Sequence, residues 1–254
     1  MGKRHLAILI GVSILASFGW SDKIDITANQ ILKKAEQKLI SNTMVADLSV
    51  TVKRPKWHKT IRIKTWTKGS YKALAYVLEP VKDQGVVYLK NNTDVFNYLP
   101  NIKKTVKLPA NMVSQSWMGS DLSTDDLVKL SRLTSDYTAT LIGSLEVTGR
   151  DCHLISLVPK EDANVLWGKL VICIDKKDFI QLTTIFYDED MQKVNTLLGT
   201  KIKSIGGKML ATEYVMKPSG RRDKITRVVY NDIAFDVPIE DDFFTKANMP
   251  NVKP

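Results

Sequence analysis

The sequence predicts an α+β fold dominated by one large antiparallel sheet. Three observations carry that prediction. An amphipathic helical stripe lies near the start, segment after segment then alternates apolar and polar residues, and the connections between segments are short and rich in turn residues. The 254 residues are 44% hydrophobic and 25% charged, which is enough apolar material for a sizeable core. No linker, low-complexity tract or solenoid repeat divides the chain.

The first element is a leader. "MGKRHLAILIGVSILASFGWSD" begins with Lys3 and Arg4 and continues with an apolar run from Leu6 to Phe18. That run falls short of the roughly 20 residues a membrane-spanning helix needs. Small residues follow at Ser17 and Gly19, and no cysteine stands near the cleavage region. This is the pattern of a cleaved secretory signal peptide over residues 1–21, with residues 22–254 forming a single exported domain. Net charge is +10, of which two units belong to Lys3 and Arg4. A basic chain outside the cytoplasm meets anionic membrane surfaces rather than nucleic acid.

The mature chain opens with a helix in "TANQILKKAEQKLIS". Thr27 is placed to cap it, Gln30 completes a capping box, and Ile31, Leu32, Ala35 and Leu39 form its apolar stripe. The alternating segments "MVADLSVTVK", "WHKTIRIKTW", "SYKALAYVLEP", "QGVVYLKN", "DVFNYLP" and "KKTVKLP" read as an antiparallel meander. "QSWMGSDLSTDDL" interrupts it. Ser123 can cap a helix "TDDLVKLSRL", with Asp126 as an acidic capping-box partner and Asp125 and Asp126 in the first turn. Trp117 and Met118 just before it read either as apolar cover at a cavity mouth or as a core plug. Strands resume in "YTATLIGSLEVTG", "DCHLISLVPK", "GKLVICIDKK", "FIQLTTIFYDED", "QKVNTLLGTK", "GKMLATEYVMK" and "DKITRVVYNDIAFD", and "DDFFTKANM" is read as one helical turn. The count taken from this pattern is about eleven strands with two main helices. A sheet that wide curls, and both helices find cover on its concave side.

Cys152 and Cys173 flank the "KEDAN" turn. A symmetric hairpin sets them opposite one another, close enough for a disulfide in an oxidising compartment.

Catalytic chemistry is hard to find in this chain. The mature chain has only His58 and His153, both in strand patterns without a sequence-adjacent partner. There is no nucleophile elbow, phosphate-binding glycine loop or zinc spacing. Asp188, Glu189 and Asp190 read as a solvated turn rather than a calcium site, and Asn91-Asn92-Thr93 as a turn. The basic run "KRPKWHKTIRIKTWTK" has the look of a nucleic-acid platform, but the leader argues against that. It reads instead as an outer strand face or a surface for anionic headgroups. No metal, cofactor or nucleic acid is expected, and the chain is read as non-enzymatic.

The helix opening "ITANQILKKAEQKL", the hairpins, Tyr98-Leu99-Pro100 followed by basic residues, and then Met118-Gly119-Ser120-Asp121 resemble the outer-membrane lipoprotein-sorting protein family, related to the periplasmic lipoprotein carrier LolA. The resemblance spans the mature chain. It implies an incomplete antiparallel β-barrel with helices over its open side and a hydrophobic cavity. It also implies a periplasmic, non-enzymatic carrier of lipid acyl chains or lipoproteins, with an inner-membrane exporter or an outer-membrane acceptor as an expected partner. The alternative role is a periplasmic sensor or accessory subunit of an envelope exporter. No cavity residue carries over from the family. The strand pattern nominates Trp57, Ile61, Ile63, Tyr71, Val77, Val87, Leu89 and Phe96 as cavity lining, with Trp117 and Met118 near its mouth.

Overall fold

The computed structural model describes residues 26–128, 133–163 and 165–254. The expected leader, residues 1–21, therefore lies outside the described residues, as does Leu130 of the second expected helix. Helix α1 (Ala28–Leu39) precedes six strands: β1 (Thr43–Lys53), β2 (His58–Lys68), β3 (Lys72–Glu79), β4 (Val87–Asn91), β5 (Asp94–Leu99) and β6 (Lys104–Leu108). Short helices α2 (Ala110–Val113), α3 (Thr124–Val128) and α4 (Leu133–Asp136) follow. Seven strands complete the chain: β7 (Tyr137–Val147), β8 (Arg150–Pro159), β9 (Lys169–Asp175), β10 (Gln181–Tyr187), β11 (Lys193–Ile205), β12 (Lys208–Pro218) and β13 (Ile225–Phe235).

Among the described residues thirteen strands join one sheet, in the order β6-β5-β4-β3-β2-β1-β13-β12-β11-β10-β9-β8-β7. The expected count of about eleven was therefore low, because every alternating segment found a partner, including the five-residue β4 and β6. The sheet is two meanders back to back. One runs from β1 out to β6, the other from β7 in to β13, and the pairing of β1 with β13 joins them. The sheet is not closed: β6 and β7 are its two free edges.

The sheet is nevertheless curled. Seven strand steps separate β4 from β10, about 34 Å across a flat sheet at about 4.8 Å per step. Asp125 of α3 forms an ion pair with Lys90 of β4 at 3.6 Å, yet lines the same cavity as Thr184 and Phe186 of β10. A short helix reaches both strands only if the two halves face each other. The chain between β6 and β7 spans that open side.

Local sequence explains the helices on that side. At α1, Gln30 N donates to Thr27 Oγ1 at 3.2 Å and Thr27 N to Gln30 Oε1 at 2.8 Å, the reciprocal capping box. Ala28, Ile31 and Leu32 then bury against Ile155, Leu157, Leu170, Ile172 and Ile174 of β8 and β9. At α3, Ser123 N donates to Asp126 Oδ2 at 2.7 Å and Asp126 N to Ser123 Oγ at 3.0 Å. Glu36 ties α1 to α4 by accepting from Thr134 N and Oγ1 at 3.1 and 2.6 Å.

The opposite face of the first meander is covered by the chain after β13. Two single turns, Asp241–Phe244 and Met249–Asn251, press Phe244, Met249 and Val252 onto Trp66, Leu74, Val87, Leu89 and Phe96. Lys68 and Lys72 hold Asp241 at 2.7 and 2.9 Å.

The nominated lining residues divide between the two faces of the sheet. Ile61, Ile63 and Val77 lie on the helix-bearing face, but in a filled core with Trp117 rather than around a cavity. Val87, Leu89 and Phe96 lie on the opposite face beneath the C-terminal turns. The β3–β4 register, Leu74 opposite Leu89 and Tyr76 opposite Val87, puts Val87 and Leu89 on the face away from Val77. Both faces of these strands are apolar because both are covered, so alternation alone could not choose between them. Trp57 and Tyr71 are 46% and 45% exposed, because each stands in the turn before its strand rather than in it.

Cys152 and Cys173 form a disulfide across β8 and β9, with a Cα–Cα distance of 5.5 Å. They are diagonal rather than directly opposed: Cys152 faces Asp175 and Cys173 faces Leu154.

Candidate functional site

The loop before α3 fills the first half of the open side. Trp117, 2% exposed, sits among Val50, Val52, Ile61, Ile63 and Val77 and meets Tyr88 edge-on at 6.4 Å. Met118 and Leu122 are only partly buried against the same core. The backbone here needs a tight reversal. Met118 and Gly119 have φ of +48° and +73°, a left-handed backbone that favours glycine at the second position. Arg54 pins the reversal, donating to Gly119 O at 2.8 Å and to Asp121 Oδ1 at 3.0 Å. The buried Thr226 hydroxyl donates to Asp121 Oδ2 at 2.6 Å. Trp117 therefore sits as a plug in the core of this half.

The second half of the open side holds a cavity of about 200 Å³. Its floor is Leu170 and Ile172 of β9 with Thr184 and Phe186 of β10, and its roof comes from α3, α4 and Ser114. Trp167, in the loop before β9, packs on Phe186 with ring centroids 5.0 Å apart and closes one side. Gly168 is required beside it, because a Cβ there would overlap the Asp188 carbonyl. Tyr137 closes the other side, and burial pushes its phenol up to about 12 with Asp136 adding to the shift, so it stays protonated.

The acidic groups at the rim are engaged. Asp125 pairs with Lys90, Asp126 accepts from Ser123 N and Oγ, and Asp136 accepts from Ser135 Oγ at 2.7 Å. None of the ten nominated lining residues borders this cavity. The signal that points to it is Leu166-Trp167-Gly168, large apolar residues beside a glycine outside any alternating run, the same kind of signal as Trp117-Met118-Gly119.

Two further charged clusters have structural roles. Arg150 binds Asp175 at 2.8 Å and also Asp178, beside the disulfide. Burial opposes the Asp175 charge, but Arg150 and neighbouring backbone N–H groups hold its carboxyl below the usual range. The acidic run at Asp188 closes the β10–β11 turn, with Gln192 N donating to Asp188 Oδ1 at 2.8 Å. Among the described residues no three His, Cys, Asp or Glu side chains converge as a metal site, and no helix is long and apolar enough to cross a membrane.

Residues 69–251 match the model of a protein family described as "uncharacterized protein"-like. The chain belongs to that family. Its fold is that of the LolA superfamily. A LolA superfamily protein from Nitrosomonas europaea superposes with a TM-score of 0.76 at 19% identity, covering 87% of this chain and 99% of that one. A domain described as an outer membrane lipoprotein-sorting protein domain, from Vibrio parahaemolyticus, gives 0.78 at 20% identity over 88% and 98%. A DUF1329 family protein from Desulfovibrio piger gives 0.79 at 21% identity over 87% and 97%. No curated protein matches the sequence. The LolA-like fold is an open antiparallel sheet with few helices, which agrees with the open sheet expected from the sequence, whereas the recess lies in the half that holds none of the nominated residues.

Proposed function

We propose that the protein is a periplasmic, non-enzymatic carrier that takes an acyl chain, from a lipid or a lipoprotein, into the cavity beneath α3 and α4. The observation that carries this reading is an apolar recess on the covered side of a curled LolA-like sheet, floored by Leu170, Ile172 and Phe186 and walled by Trp167. The leader pattern supplies the compartment, and residues 22–254 act as a single domain without a cofactor.

The size of the recess limits the cargo. Water takes about 30 Å³ and a methylene about as much, so 200 Å³ accepts on the order of six methylenes. At about 0.8 kcal/mol each these contribute on the order of 5 kcal/mol, a Kd no better than about 0.2 mM. The chain end alone therefore binds weakly, and the rest of the cargo must add contacts or stay in a membrane or exporter.

Native mass spectrometry with lipid extraction, on protein taken from its own periplasm, tests the reading. Near one-to-one phospholipid or acylated peptide is expected. Protein that arrives empty and stays empty with added lipid would refute it. The alternative, a sensor or accessory subunit of an envelope exporter that binds protein, draws on β7. That strand is a free sheet edge with Leu141, Ile142 and Leu145 about half exposed, a surface suited to strand addition.

A further inference from the structure

A groove of about 490 Å³ adjoins the cavity and shares Ser114, Ser123, Asp126, Leu166 and Trp167 with it. It runs on to Lys193, at the start of β11, and to Arg221 and Lys224, in the turn between β12 and β13. Strand pairing puts these segments side by side, since Asn195 opposes Pro218. The turn is held by its own backbone, with Arg221 N donating to Pro218 O and Lys224 N to Arg221 O. Its sequence, Lys217-Pro-Ser-Gly-Arg-Arg-Asp-Lys224, carries four cations and one carboxylate, Asp223.

The charges facing the groove divide into two kinds. Its carboxylates are committed to the fold: Asp121 is held by Arg54 and Thr226, and Asp126 by the Ser123 cap. The cations are not. Among the described residues Lys193, Arg221 and Lys224 have no carboxylate within ion-pair distance. An apolar recess that opens beside uncommitted cations fits a molecule with a greasy end and a negative head.

We infer that the cargo is an anionic amphiphile, with its chain end in the recess and a headgroup of net negative charge between Lys193, Arg221 and Lys224. The inference rests on the carrier reading and names its substrate class. It also addresses the weak binding expected of the chain alone, because headgroup contacts add to the small apolar gain.

The test uses the mature protein and two lysolipids with the same myristoyl chain, lysophosphatidylglycerol and lysophosphatidylcholine, titrated below their micelle concentrations. Both should bind, the anionic one about tenfold tighter at low salt, with the gap narrowing toward about 0.5 M salt as exposed charges are screened. The variant Lys193→Gln/Arg221→Gln/Lys224→Gln should close the gap by weakening the anionic lysolipid far more than the zwitterionic one, whose choline offsets its phosphate. Equal binding of both lysolipids by the unaltered protein would overturn the headgroup assignment while leaving the carrier reading intact. Binding of neither would overturn both. Glycerol phosphate binding as tightly as lysophosphatidylglycerol would assign the groove to free phosphate esters and overturn the amphiphile.

Discussion

The two halves of the sheet each present an apolar face to the open side, and each has a tryptophan in a loop beside a glycine. In the first half Trp117 sinks into the face and fills it, and the loop behind it is locked by Arg54, Asp121 and Thr226. In the second half Trp167 stops at the edge against Phe186 and leaves room between strand and helix. The same local signal thus yields a plug in one place and a wall in the other. What differs is the backbone. The Trp117 loop is pinned back onto the sheet from below, whereas the Trp167 loop is stopped by the close approach of Gly168 to the Asp188 carbonyl.

The comparison breaks most directly at the two tryptophans. Trp117→Ala should cost about 3–5 kcal/mol, the range for deleting a large aromatic from a core, read as a fall in the denaturation midpoint. Trp167→Ala, removing a half-buried ring, should cost clearly less while weakening acyl-chain binding severalfold. Equal destabilisation by the two would mean that the plug and the wall are not distinct. Next in size is the disulfide, which staples the second half only. Cys152→Ser/Cys173→Ser closes no loop across the 21-residue separation and should lose about 3 kcal/mol, and an intact mass that did not change on reduction would show that no bond had been present. Arg54→Ala should follow, at about 2 kcal/mol for charged hydrogen bonds to Gly119 and Asp121. It should also admit larger chains by loosening the plug, and unchanged lipid uptake would argue that the plug never moves.

The smallest effect expected is a pH effect at the C-terminal turns. Lys68 and Lys72 hold the Asp241 carboxyl down to about 2 from an ordinary value of 3.8. A carboxylate depressed in the folded state contributes stability that is fully present above its unfolded value and lost as pH falls through its folded value. The contribution should therefore fade between about pH 4 and pH 2, and Asp241→Asn should remove that part of the acid response. Because the group is fully exposed, the change should be small, and an acid limb unchanged in Asp241→Asn would show that the pair adds nothing.

How much of this was legible depended on how local the determinant was. The capping boxes at Thr27 and Ser123 were readable because they span four residues. The strand segments were readable because alternation is a two-residue rule, and the cysteine pairing because a short hairpin brings Cys152 and Cys173 near one another. Face was not readable. Val77 and Val87 look alike in sequence, and only the turn between β3 and β4, together with the C-terminal turns on the far face, separates them. The plug escaped for the same reason, since what holds Trp117 down is Arg54 and Thr226, far from it along the chain. The recess escaped because its lining is drawn from strands, short helices and a loop that approach each other only when the sheet curls.

The join between the meanders has a consequence for how the chain acquires its shape. Within each meander every strand pairs with its neighbour in sequence, so those contacts close short loops and form early. The seam between them does not: Met44 of β1 meets Phe235 of β13, and nearly the whole chain lies between. As the chain emerges, β1 comes early and keeps one bare edge until the last strand arrives. Folding should therefore proceed in two stages, two half-sheets followed by a slow closure at the seam. Substitutions along that seam, such as Val50→Ala against Val228, should slow the final step and leave the early ones untouched.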